Sequence, residues 1–144
     1  MSDYEAYEKA VEEIRRKNEA HLMGFEAWLT NKGLSRKTIH NHLSNVEFYI
    51  NSYLCRYDAL DVTHGCRSIG GFLGDWFIRK ALWSSRATIK STAASIKKFY
   101  AYLLEEGVVT QEDYNDLIET IKDEMPDWLE EMDQNDSMDL SAFL

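Results

Sequence analysis

The stretch Ser85-Arg-Ala-Thr-Ile-Lys-Ser-Thr-Ala-Ala-Ser-Ile-Lys-Lys-Phe-Tyr-Ala-Tyr-Leu-Leu-Glu105 decides the fold class. Ile89, Ala93, Ile96, Tyr100 and Leu103 recur in it at spacings of four, three, four and three. That is one face of an α-helix, and no period-two alternation competes with it. Ser84 or Ser85 stands where an N-cap is needed, and Gly107 stands where the chain must turn left-handed to stop.

The same reading extends outward. Ile39, Leu43, Val46, Ile50 and Tyr53 form a second stripe, capped by Ser35 and ending near Leu54. Before it, Tyr4, Tyr7, Val11, Ile14, Asn18, His21, Phe25 and Trp28 mark a first helix over residues 3–30, one helix or two because Gly24 sits inside it. Asn31-Lys-Gly33 is its natural stop. Residues 55–68 are irregular. A third helix over 68–82 is expected, with Gly70, Gly71 and Gly74 positioned for the close approach of another helix. Thr110 and Asp113 cap a fifth helix, which Pro126 closes or kinks, and Met125, Trp128, Leu129 and Met132 suggest a short amphipathic turn beyond it. One proline and seven glycines in 144 residues leave few breakers, and neither a strand pattern nor a repeat is present. The expected fold is all-α: a single-domain bundle of four to five helices with an extra C-terminal helix and an acidic tail. Its parts are an N-terminal helical extension (1–20), a helical domain (21–108), and the C-terminal helix and tail (109–144).

With 44% hydrophobic and 12% aromatic residues, the chain has the means to bury a core. No apolar run approaches the roughly 18 residues of a membrane span, since Asp75 interrupts the best candidate. The first residues include Asp3, Glu5 and Glu8, unlike the basic start of a signal peptide. Two cysteines, Cys55 and Cys66, make no disulfide framework, so a reduced cytoplasmic setting is expected.

The net charge of -9 is unevenly spread. Residues 21–108 hold 11 basic and 7 acidic side chains, whereas residues 109–144 hold 1 basic and 12 acidic ones. No Asp or Glu lies between Glu26 and Glu47, nor between Asp75 and Glu105. Asymmetry of this kind is a signal of a charged partner. Within the 85–105 helix, Arg86, Lys90 and Lys97 fall within about 40° of one another, and Lys98 adds a further cation. Cations at fixed spacing without neighbouring carboxylates suit a phosphate backbone. On the second helix, His40, Asn41, Ser44 and Asn45 group as mostly uncharged donors and acceptors, the type that reads base edges, while Arg36 and Lys37 could anchor the backbone. The plainer reading of both sets is a solvated helix surface beside a solubilising tail.

Catalytic chemistry has little support. Cys55, His64 and Cys66 match no standard zinc spacing, and no phosphate-binding loop, nucleophile elbow or His-Glu-x-x-His sequence occurs. No cofactor or metal is expected.

Two blocks carry a family resemblance. Phe25-Glu-Ala-Trp-Leu-Thr-Asn-Lys-Gly-Leu-Ser-Arg-Lys-Thr-Ile39 resembles the opening of the core-binding domain of tyrosine recombinases, the phage integrase family. The 85–108 stretch is similar to that domain's later Ser-x-x-Thr-Ile helix with Phe-Tyr and a terminal Gly. The resemblance spans about residues 21–110 and implies a SAM-like bundle that clamps duplex DNA, with the second and fourth helices crossing it and Lys37, Arg86, Lys90 and Lys97 near phosphates. The family's Asn-Pro is missing after Val109, and the 36 residues beyond 108 are too few for a catalytic domain. His64-Gly-Cys-Arg67 repeats the family's His-x-x-Arg spelling in the wrong part of the chain and is set down to chance.

The resemblance therefore implies a non-catalytic, duplex-DNA-binding protein, an accessory or regulator of DNA integration or recombination. The alternative is a protein-protein interaction module that has lost DNA binding and meets a basic partner through its acidic C-terminus. A third reading is a homodimer through the first helix, with Asn18 fixing register as in coiled coils. The acidic tail is expected to lie over or near the basic surface and compete with DNA, with Trp128 and Phe143 as anchors.

Overall fold

Four of the five helices start where a side chain can accept from the first free N–H groups. In the computed structural model, which describes residues 2–143 and the side chains of residues 2–137, Ser2 caps α1 (Asp3–Asn31) and Ser35 caps α2 (Arg36–Glu47). α2 runs on into a π-helical turn, Phe48–Tyr53. A 3-10 turn, Val62–His64, interrupts the irregular segment that follows. α3 covers residues 69–80 and contains a second π-helical turn, Phe72–Trp76. α4 (Arg86–Glu105) opens on a reciprocal cap in which the Thr88 amide donates to Ser85 Oγ at 3.1 Å and the Ser85 amide donates to Thr88 Oγ1 at 2.9 Å. Thr110 accepts from the Asp113 amide at 3.1 Å to start α5 (Gln111–Phe143). Gly33 and Gly107 take the left-handed turns that end α1 and α4, with φ of 83° and 75°. There is no strand among the described residues.

α2 packs between α1 and α4, and α5 packs along α4 and α3. Ile39, Val46, Ile50, Ile89, Ile96, Tyr100 and Leu103 are all buried, so the helical stripes point inward as their spacing requires. Tyr7, Ile14, His21 and Leu43 are only partly buried, Tyr4 is exposed, and Trp28 also falls short of full burial. It is half-buried, stacked on Phe25, and its indole N–H donates to the Glu105 carboxylate at the surface. The indole keeps its polar edge wet while its body packs. The two π-helical turns bring their aromatic rings together, with the Phe72 ring 4.7 Å from Tyr49 and 5.0 Å from Tyr53. The hydroxyls of Tyr49 and Tyr100 donate to the carbonyls of Gly65 and Val62 at 2.6 and 2.7 Å, which fastens the irregular segment to the core.

Three sequence expectations change. α1 is one unbroken helix across Gly24 and across the 20/21 boundary, and Gly24 serves close packing, since the Tyr102 hydroxyl of α4 sits where a side chain there would be. Asn18, the candidate for fixing dimer register, is spent within its own chain: its amide donates to Ile50 O at 3.3 Å and Asn51 Oδ1 at 2.8 Å. Pro126 does not close α5, which continues through it. The missing N–H costs about 3 kcal/mol, but Trp128, Leu129 and Met132 are buried beyond it, each worth about 1.5–3 kcal/mol. Gly74 makes that burial possible, since a Cβ there would lie 2.7 Å from Trp128 Cδ1. The C-terminal acids therefore ride on an integral core helix and not on a tail laid over the bundle. Phe143, the other expected anchor, lies outside the described side chains.

Candidate nucleic-acid interface

Helical spacing sorts the side chains of α2 into two flanks. Lys37, Asn41 and Ser44, at i, i+4 and i+7, share one. Thr38, His42 and Asn45 follow at the same spacing and turn toward α4. On α4, Ser91, Ser95 and Lys98 repeat the pattern, with Ala94 beside them. The small side chains let the two helices approach, and an open groove forms between them. Thr38, Asn41, His42, Ser44, Asn45, Ser91, Ala94 and Ser95 line it, without a carboxylate. Lys90, Lys97 and Lys98 are exposed on the α4 side, and Lys37 is exposed on the α2 side. None of the four has an ion-pair partner among the described residues.

At the base of the groove, Ser95 Oγ is a junction. It donates to Ser91 O at 3.1 Å, accepts from Asn45 Nδ2 at 3.0 Å, and meets His42 Nδ1 at 2.7 Å. A serine beside an imidazole suggests nucleophilic catalysis, but this one has no solvent exposure and its proton goes to a backbone carbonyl. Its role is to hold Asn45 and His42. Burial, and then the charge of Lys98, holds the His42 imidazole below its ordinary value, so the groove presents a neutral ring near neutral pH.

The other sequence-picked residues scatter. Arg36 and His40 face a separate depression with Glu26 and Thr30 of α1, away from Asn41, Ser44 and Asn45. Arg86, the first cation of the α4 ridge, turns to α5, with Nη1 2.7 Å from Asp133 Oδ2 and 3.4 Å from Leu129 O. His64 Nδ1 lies 3.4 Å from Asp61 Oδ1, and Arg67 pairs with Asp113 of α5 at 3.8 Å, so the two residues of the recombinase-like spelling each face a carboxylate. Cys55 and Cys66 are both buried, and burial together with Asp113 and Asp116 pushes the Cys66 thiol up to about 12, far from a metal-binding thiolate. Sequence reasoning missed His42, Thr38, Ser91 and Ser95. The available signal was the run of polar residues at i, i+4 and i+7 on each helix.

A scan against protein-family models finds no match to this chain, and searches of curated proteins and of solved structures find no similar protein.

Proposed function

We propose that this chain is a non-catalytic, duplex-DNA-binding domain of the SAM-like, core-binding type that its sequence resembles, serving as an accessory or regulator of DNA integration or recombination. One observation carries the reading: a carboxylate-free groove of neutral donors and acceptors between α2 and α4, two helices whose exposed Lys37, Lys90, Lys97 and Lys98 have no ion-pair partners among the described residues. The lysines supply the sequence-independent attraction to phosphates, and Asn41, Ser44 and Asn45 supply contacts of base-reading type. The test is a fluorescence-anisotropy titration with duplex DNA at several salt concentrations. Binding should weaken steeply with salt, and changing Lys90 and Lys97 to Ala should lower the slope by about one unit for each lost contact, whatever the DNA sequence. An unchanged slope removes α4 from the interface.

The second reading, a protein-interaction module, is favoured by the outer face of α5, where Glu112, Asp116, Glu119, Asp123, Asp127 and Glu130 are all exposed. A folded chain that ignores DNA even at low salt would leave that reading in its place.

A further inference from the structure

Hydrogen-bond accounting at Ser95 goes further than the groove's shape. A serine hydroxyl has one proton and two lone pairs. The proton goes to Ser91 O, and one lone pair takes the Asn45 N–H. The other lone pair then takes a proton from His42 Nδ1, at 2.7 Å. The opposite tautomer would leave a lone pair of this fully buried oxygen unused. Among the described residues His42 Nε2 has no hydrogen-bond partner and no buried side-chain nitrogen or oxygen lacks one, so Nε2 opens to the groove that His42 lines.

We propose that His42 is a specificity-determining residue, fixed by Ser95 as the Nδ1–H tautomer so that Nε2 accepts a hydrogen bond from an amino group on a base edge. In the major groove that donor is cytosine N4 or adenine N6. Asn45 lines the same groove and spends an amide N–H on the same serine oxygen, which leaves its carbonyl oxygen as a second acceptor. Two acceptors in one groove favour amino-bearing base edges over the carbonyl edges of guanine and thymine, which would repel them.

This inference rests on the DNA-binding reading, and two measurements on the full chain separate their failures. The first needs no DNA. Long-range proton–nitrogen correlation spectra of histidine-labelled protein above pH 7 should show the proton on Nδ1 of His42, and Ser95→Ala should release it toward the Nε2–H form. A wild-type Nε2–H ring overturns the proposal. The second is selection from a randomised duplex pool. The wild type should enrich cytosine or adenine at one position, and His42→Ala should lose about three- to tenfold of that preference, while its affinity for unselected DNA stays within about twofold. A preference that survives the substitution overturns the proposal and leaves DNA binding standing. If the wild type binds no DNA, the base-reading role falls with the DNA reading, although the tautomer would still be measured.

Discussion

Ser95 and Ile96 are neighbours with no solvent exposure, and they are buried for different reasons. Ile96 fills the core between helices. Ile96→Ala should cost about 2–5 kcal/mol in urea unfolding, and a loss below about 0.5 kcal/mol would mean that the side chain is not packed. Ser95 is tolerated because every hydrogen-bonding site on its oxygen is used. Two histidines extend the argument to pH. Burial comes first in lowering both His21 and His42 below the ordinary 6.5, with Lys17 and Lys98 adding in turn and Asp61 partly opposing at His21. The unfolded chain therefore takes up these protons before the folded one does. Their stabilisation is complete above about pH 6.5 and is lost as the pH falls through the lower, folded values. Thermal unfolding followed from pH 7.5 to 5 should show a declining midpoint, and the paired change of His21 and His42 to Asn should flatten that decline.

At the scale of elements, legibility followed from whether the signal was local. α4 was readable to its ends because the Ser85 cap, the apolar stripe and Gly107 all state the same helix. α5 was readable only as far as Pro126. The local cost of proline is visible in sequence, whereas the surface that repays it is made by Gly74 on α3, about fifty residues away in the chain. The flanking lysines were likewise legible, since a charge excess needs no partner to be seen. The His42–Ser95–Asn45 junction was not, because it joins polar stripes from two helices and exists only once they pack. Gly74→Ala tests the α3–α5 seam directly. The added methyl meets the buried Trp128 ring, so the variant should lose about 1–3 kcal/mol despite its better helix propensity, and the near-ultraviolet signal of Trp128 should change. An undisturbed seam would leave the alanine neutral or stabilising.

Over the whole molecule, charge is unevenly spread: exposed lysines stand on α2 and α4, and acids crowd the outer side of α5. Among the described residues, Arg86 alone of the α4 ridge pairs with α5, through Asp133. Both partners are about half exposed, so the pair should contribute under about 1 kcal/mol to stability. Asp133→Asn frees Arg86 while leaving the core alone. It is a cleaner probe of competition than truncation after Met125, which would strip Trp128, Leu129 and Met132 from the core. The expected result is a few-fold gain in DNA affinity at low salt that fades as salt rises, with the unfolding midpoint nearly unchanged. Equal affinity of variant and wild type would show that α5 does not mask the ridge.

The docking of α5 also sorts the methionines by chemical fate. Met23 stands 67% exposed on α1, open to any oxidant, while Met132 is 1% exposed beneath α5. Peroxide can reach Met132 only when the helix lifts, so the rate at which its sulfoxide forms reports how often α5 leaves the core. The product is polar and no longer fits the site it came from. Each such event would leave α5 propped open, and slow oxidative ageing would turn a transient excursion of one helix into a lasting change of shape.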